Sequence, residues 1–156
     1  MESVAKDSIL NHLRVNELIT NSQYGFLSRR STTTQLLKCC NLWSKSLADR
    51  HQVDIVYLDF AKAFDSVVHS KLLMKINSYG ISGQLFDWLK SFLTDRKQIV
   101  RIGNAFSAPC SVRSGVPQGS VLGPLLFTLF INDIVNIASV PELSSMYLFA
   151  DDVKTS

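Results

Sequence analysis

The chain is poor in the residues that would build a covalent or metal-clipped scaffold. It has three cysteines in 156 residues, Cys39, Cys40 and Cys110. The count is odd and no Cys-x-x-Cys pair occurs, which argues against a disulfide framework and a zinc ribbon. The histidines, His12, His51 and His69, lie far apart, without ligand spacing on a helix. Seven glycines and four prolines exclude collagen-like and low-complexity material. Charge of one sign is nearly balanced, with 16 basic against 13 acidic residues. The resulting +3 permits a phosphate-rich partner without demanding one. Long hydrophobic runs are lacking too. The longest uncharged stretch, Ser114 to Asn132, contains an apolar part from Val121 to Ile131. That part is shorter than the roughly 20 residues a bilayer needs, so a buried core helix and no membrane span is expected. The N-terminus is charged from Glu2 onward and has no apolar signal core. A reducing intracellular location, nucleus or cytoplasm rather than secretion, is the expectation.

What is present is globular composition, with 46% hydrophobic and 19% charged residues. Residues 4–19 carry the partial apolar stripe Ile9, Leu10, Leu13 and Leu18 and predict a helix. Ser31 is an N-cap candidate for a second helix, whose Leu36, Cys40, Trp43 and Leu47 fall on one face. Val53 to Phe60, β-branched and aromatic, predicts a central strand. Ala61 to Val68 reads as a turn and helical entry. Helices follow over His69–Ser78, with Gly80 as stop, and over about 82–93. Gln98 to Ile102 alternates as a strand, Gly103-Asn104 is a turn, and a return through Cys110–Arg113 predicts a hairpin near 97–113. Ser120 is expected to cap a buried helix reaching Ile137, and Ser145–Ala150 a strand ending at Asp151-Asp152. Mixed order with a hairpin predicts the α+β class, a small antiparallel sheet packed by helices.

Acidic residues close two of the predicted strands, Asp59 on one and Asp151-Asp152 on the other. If those strands are neighbours, the carboxylates meet at one sheet edge. Two charges about 5 Å apart repel by about 3 kcal/mol at an effective dielectric of about 20. A divalent cation removes that cost, and hard oxygen donors suit Mg²⁺ or Mn²⁺. Adjacent residues on a flat strand point to opposite faces, so both Asp151 and Asp152 reach one site only if the strand ends in a tight turn. An Asp-Asp pair alone is commonly a solvated turn; the combination carries the argument. Ser114-Gly115-Val116-Pro117-Gln118-Gly119-Ser120 is a glycine-flanked loop entering a helix. Free N–H groups at such a start can hold a phosphate.

Tyr57-Leu58-Asp59-Phe60-Ala61-Lys62-Ala63-Phe64-Asp65 resembles the motif bearing the first catalytic aspartate of the reverse transcriptases of non-long-terminal-repeat retrotransposons, the long interspersed elements. Gly115-Val116-Pro117-Gln118-Gly119-Ser120 resembles their Pro-Gln-Gly motif, and Phe149-Ala150-Asp151-Asp152 their aromatic-Ala-Asp-Asp motif. Tyr24-Gly25-Phe26 with Arg30-Ser31-Thr32 resembles the upstream fingers motif. All occur in the family's order and cover nearly the whole chain.

The resemblance implies a partial domain of a right-hand polymerase, with fingers over 1–52, mainly palm over 53–156, and the thumb absent. It implies Mg²⁺ (or Mn²⁺) ligation by Asp59 and Asp151, helped by the Phe60 carbonyl, with Asp152 completing the acidic cluster. Phe64 would lie under the incoming sugar, where a ring clashes with a 2′-hydroxyl. Gln118, Ala61 and Arg30 would meet the incoming nucleotide, and Arg30, with Arg29, the triphosphate or template. The implied reaction copies an RNA template onto a DNA primer from deoxynucleoside triphosphates. Lys97, Arg101 and Arg113 are candidates to touch the nucleic-acid backbone. The chain departs from the family at Leu27, where a basic residue is commoner, and at Arg29, where glycine is. Alternatives are an inactive relic of a truncated element, a noncatalytic nucleic-acid-binding module, and a two-metal nucleotide cyclase, against which the Pro-Gln-Gly loop and Phe64 speak.

Overall fold

A computed structural model describes residues 1–138 and 145–156. Helix α1 (Glu2–Val15) buries Ile9 and Leu13, the stripe expected from its sequence. Helix α2 (Thr32–Ala48) opens on a reciprocal cap. Ser31 Oγ accepts from the Thr34 N–H at 3.1 Å, and Thr34 Oγ1 accepts from the Ser31 N–H at 2.9 Å. Its inward face differs from the expected one. Gln35 and Cys39 are buried, while Leu36 and Leu47 are exposed. Each residue turns a helix by about 100°, so facing the sheet with Gln35, Cys39, Leu42 and Trp43 rotates Leu36 and Leu47 outward. Gln35 meets a polar strand there, accepting from Lys154 Nζ at 2.9 Å.

Strand β1 (Val56–Leu58) is followed by α3 (His69–Ser78) and α4 (Gly83–Leu93). Short strands β2 (Lys97–Gln98), β3 (Arg101–Ile102), β4 (Ala105–Phe106) and β5 (Cys110–Ser111) come next. They form one interrupted hairpin, β2 against β5 and β3 against β4. The two rungs are joined where Val100 N–H donates to Ser107 Oγ at 3.0 Å and Ser107 N–H donates to the Val100 carbonyl at 2.9 Å.

Helix α5 (Gly123–Ile131) is apolar all round and nearly all buried, as a core helix must be. The expected single helix from Ser120 to Ile137 is divided, with α6 (Ile134–Ala138) beginning after Asn132-Asp133. Asn132 is spent on tertiary bonds. Its Oδ1 accepts from Thr20 N–H at 2.9 Å, and its Nδ2 donates to the Leu18 carbonyl and to Tyr79 Oη. Asp133 pairs with Lys75.

Strands β6 (Met146–Phe149) and β7 (Asp152–Thr155) form a tight antiparallel hairpin. Sheet order is β1-β7-β6, all antiparallel. Two expectations are corrected here. The chain does not leave the sheet at Asp152 but returns as β7, and β7, not β1, is the central strand. In Asp152-Val153-Lys154-Thr155 only Val153 is apolar, which hides the strand from a hydrophobic pattern. Beyond β6, residue Gln23 makes a parallel bridge to Leu148.

The main core gathers Leu72 and Ile76 of α3, Leu89 and Leu93 of α4, Leu122 and α5, and Leu148 and Val153 of the sheet. A smaller cluster, Tyr24, Cys39 and Tyr147, lies under α2. The architecture is α+β, helices with small antiparallel sheets.

Candidate functional site

Strand register sets the three aspartate positions at one end of the sheet. Leu58 of β1 lies opposite Val153 of β7, so Asp59 follows at the end where β7 begins with Asp152. Phe149 lies opposite Asp152, which leaves Ala150 and Asp151 as a two-residue turn at that same end. The tight turn required for both aspartates is therefore present. Ala150 is left-handed, φ 57°, a conformation that costs an L-residue about 1–2 kcal/mol. It persists because its surroundings determine it. Gln23, 1% exposed, accepts from the Ala150 N–H at 3.0 Å and from the Gly25 N–H at 2.7 Å through one oxygen. Gly25 packs so closely that a Cβ there would stand 2.4 Å from Ala150 N.

Asp59 is differently placed. Residues 54–62 are exposed, and β1 is an edge strand. The Phe60 carbonyl accepts from Ala63 N–H at 3.2 Å, which leaves it a second lone pair. Ala61 is exposed at the head of the turn, and Lys62 is left-handed, φ 51°. Hard oxygen donors at one sheet end fit Mg²⁺ or Mn²⁺ in chemistry. Among the described residues, no three His, Cys, Asp or Glu side chains stand close enough together to hold an ion.

The Pro-Gln-Gly loop is seated on the turn after β1. Val116 N–H donates to the Phe64 carbonyl at 2.9 Å, and Gly115 N–H to the Val67 carbonyl at 2.8 Å. Buried His69 donates from Nε2 to the Gly115 carbonyl at 2.8 Å. Gly115 has φ +88°, and a Cβ on it would be 2.9 Å from Asp65 Cα, so only glycine lets the loop approach. As a result Gln118 Nε2 donates to Asp65 Oδ1 at 2.9 Å, beside Phe64. The Phe64 ring stacks on Phe127 with centroids 4.2 Å apart and meets Phe26 edge-on at 6.0 Å. Phe64 and Gln118 line a hollow of about 290 Å³. A larger groove of about 910 Å³ runs from Gln118 along Arg96, Lys97 and Arg113. Arg101 faces its own hairpin, donating from Nε to the Gly103 carbonyl at 2.8 Å.

Two expected contacts take another form. Arg30, expected at the triphosphate or template, turns its guanidinium onto the carbonyls of Thr20, Asn21 and Gln23 and stacks over Tyr24. It folds the loop before Gly25. The start of α5, expected to offer free N–H groups to a phosphate, is already occupied. Glu2 Oε2 accepts from Val121 and Leu122 N–H at 2.8 and 3.2 Å, and Ser120 Oγ from Gly123 N–H at 2.9 Å. Arg29 is left-handed, φ 63°, which accounts for glycine being common at that position in the family it resembles. Gln23 and Glu2 escaped sequence reasoning. A lone glutamine before Tyr24-Gly25-Phe26 was its only signal, and no local pattern connects Glu2 to Val121.

The family profile described as reverse transcriptase (RNA-dependent DNA polymerase) matches residues 1–155. The chain belongs to the reverse transcriptase family. Among curated proteins it is 33% identical over 151 residues to a probable RNA-directed DNA polymerase from transposon BS of Drosophila melanogaster, covering 90% of this chain and 16% of that protein. It is 34% identical over 157 residues to the RNA-directed DNA polymerase from mobile element jockey of Drosophila funebris, covering 98% and 17%. A probable RNA-directed DNA polymerase from transposon X-element of Drosophila melanogaster is 34% identical over 146 residues, 93% of this chain and 16% of that protein. Within the family, these relatives bear out the likeness to non-long-terminal-repeat elements, and the chain spans about a sixth of their length. No helix among the described residues is long and apolar enough to cross a membrane.

Proposed function

We propose that the chain is the fingers-and-palm portion, fingers over 1–52 and palm over 53–156, of an RNA-directed DNA polymerase that extends a DNA primer on an RNA template. The observation that carries this reading is the register of β1, β7 and β6, which sets Asp59, Asp151 and Asp152 at one sheet end. Asp59 and Asp151 would hold Mg²⁺ or Mn²⁺, with the Phe60 carbonyl and Asp152 beside them. When bound, the metal supplies positive charge for the phosphate oxygens and lowers the pKa of the attacking hydroxyl.

The primer 3′-hydroxyl attacks the α-phosphate of a deoxynucleoside triphosphate. A new P–O bond would form as the hydroxyl proton passes to solvent, the bond from the α-phosphorus to the bridging oxygen would break, and pyrophosphate would leave with its electron pair. Phe64, held rigid between Phe127 and Phe26, would lie under the sugar and exclude a 2′-hydroxyl. Gln118, fixed by Asp65, would orient the nucleotide across the neighbouring hollow, and Ala61, exposed on the turn after β1, would meet it too. Arg96, Lys97 and Arg113 give the larger groove a positive wall suited to a phosphate backbone. Arg30 would act by holding the loop at Gly25 rather than by touching phosphate.

Primer extension by a chain lengthened with its flanking coding sequence tests the reading. Activity is expected to need Mg²⁺ or Mn²⁺ and to fall by at least about 100-fold in Asp59→Ala and Asp151→Ala, the scale of removing a charge-stabilising group. Full activity in either variant overturns the site. Phe64→Val is expected to raise ribonucleotide incorporation, and unchanged sugar selectivity removes Phe64 from that role.

A further inference from the structure

The turn that carries Asp151 has an anchor from a remote part of the sequence. Gln23 is buried to 1% exposure on the strand-like segment that bridges to Leu148 of β6. That segment is registered by backbone bonds, Tyr24 N–H donating to the Leu148 carbonyl and Leu148 N–H to the Ser22 carbonyl, each at 2.8 Å. Beyond Leu148 the ladder ends, and the side chain of Gln23 takes over from its backbone. Its oxygen receives Ala150 N–H at 3.0 Å, while its amide nitrogen approaches the Ala150 carbonyl at 3.5 Å. Gly25 lies against Ala150 with no room for a side chain, and Arg30 holds the Gln23 carbonyl from the other side. Ala150 is left-handed and immediately precedes Asp151.

We propose that Gln23 is a positioning residue for Asp151, its side-chain oxygen fixing the Ala150 peptide and so the direction in which the Asp151 carboxylate leaves the turn. The inference rests on the reading of Asp151 as a metal ligand. Three features carry it. A buried side-chain amide is costly unless it is bonded, and this one spends its acceptor on two backbone donors, Gly25 and Ala150. A two-residue turn leaves the Ala150 N–H without a strand partner, so the glutamine satisfies a group the hairpin cannot. A left-handed alanine relaxes to another conformation unless its surroundings forbid it, and a changed φ at Ala150 redirects every atom of Asp151. Among the described residues no buried side chain grips the turn after Asp59 in this way, so the geometry of the acid pair depends on this clamp.

The test uses the 156-residue chain itself, labelled with ¹⁵N and titrated with Mn²⁺, whose paramagnetic broadening of nearby amides reports where and how tightly it binds. In the unsubstituted chain, broadening is expected at the amides around Asp59 and Asp151, and Asp151→Asn is expected to remove it. Gln23→Met keeps the volume and loses the acceptor. It is expected to weaken Mn²⁺ binding by about tenfold, the scale of losing a group that orients a ligand. Gln23→Glu keeps the oxygen and is expected to restore binding to within about threefold of the unsubstituted chain. Equal Mn²⁺ affinity in Gln23→Met and the unsubstituted chain, or equal loss in the Met and Glu variants, overturns the role of Gln23 while leaving the metal reading in place. Absence of localised broadening in the unsubstituted chain overturns the metal reading, and the inference falls with it. Hydrogen exchange of the Ala150 amide in the unsubstituted chain covers the case in which Gln23→Met does not fold. Protection like that of β6 supports the clamp, and exchange at the rate of a free peptide refutes it.

Discussion

Asp151 and Asp59 stand at the same end of one sheet, yet the chain on either side of them is held in opposite ways. Asp151 follows β6, whose Met146, Tyr147 and Leu148 are all buried, and its turn is gripped by Gln23 and Gly25. Asp59 follows β1, whose three residues are all exposed on the open edge of the sheet. Both strands are apolar in sequence. The difference shows that apolar character states how readily a strand is covered, while its place in the sheet states whether it is. One acid, half-buried, follows a buried strand, and the other follows an exposed strand at the sheet edge.

The largest expected contrast is in packing. Leu148→Ala, at a fully buried position, should cost about 3–4 kcal/mol, against about 1 kcal/mol for Leu58→Ala at 43% exposure, both read from urea midpoints. Similar costs for the two would mean that β1 is covered in solution. Gly25→Ala comes next, at about 2–3 kcal/mol, because its methyl collides with the Ala150 backbone. Ala61→Ser, on the Asp59 side, should stay within about 0.5 kcal/mol. Arg29→Gly should stabilise by up to about 1 kcal/mol, since glycine takes the left-handed conformation without strain. A loss of stability there would show that the Arg29 side chain supports the loop.

The smallest effect is in pH. Burial pushes the Cys39 thiol above its ordinary value of 9.0, beneath the strand that leads to Asp151. The unfolded chain therefore releases this proton first. The contribution to stability is complete below the unfolded value and is lost as pH rises through the folded one. Urea midpoints between neutral pH and pH of about 10 should fall less steeply in Cys39→Ala than in the unsubstituted chain. Parallel slopes would mean that Cys39 is as solvated as Cys40 and Cys110.

Much of the local structure was legible. The Ser31 cap, the α1 stripe, the Gly103 turn and the apolar α5 rest on residues close together in the sequence, where propensity and periodicity act. The strand β7 was not legible, because a central strand needs no apolar face of its own when α2 brings Gln35 to meet Lys154. The buried face of α2 lies one position away from its apolar stripe for the same reason. Within the site, residue types and order pointed to the acids, Phe64 and Gln118. The clamp by Gln23, the cap by Glu2 and the inward turn of Arg30 each join segments far apart in the chain.

By itself the amino-acid sequence determined the membership of the reverse transcriptase family, the α+β class and the identity of the candidate acids, since these depend on residue type and short spacing. Tertiary structure alone decided that β7 lies between β1 and β6, and hence that Asp59, Asp151 and Asp152 share one end. It also decided which acid is held firmly. The physical reason is that strand register and the satisfaction of buried donors are settled between distant segments, by the cost of leaving any one of them unpaired.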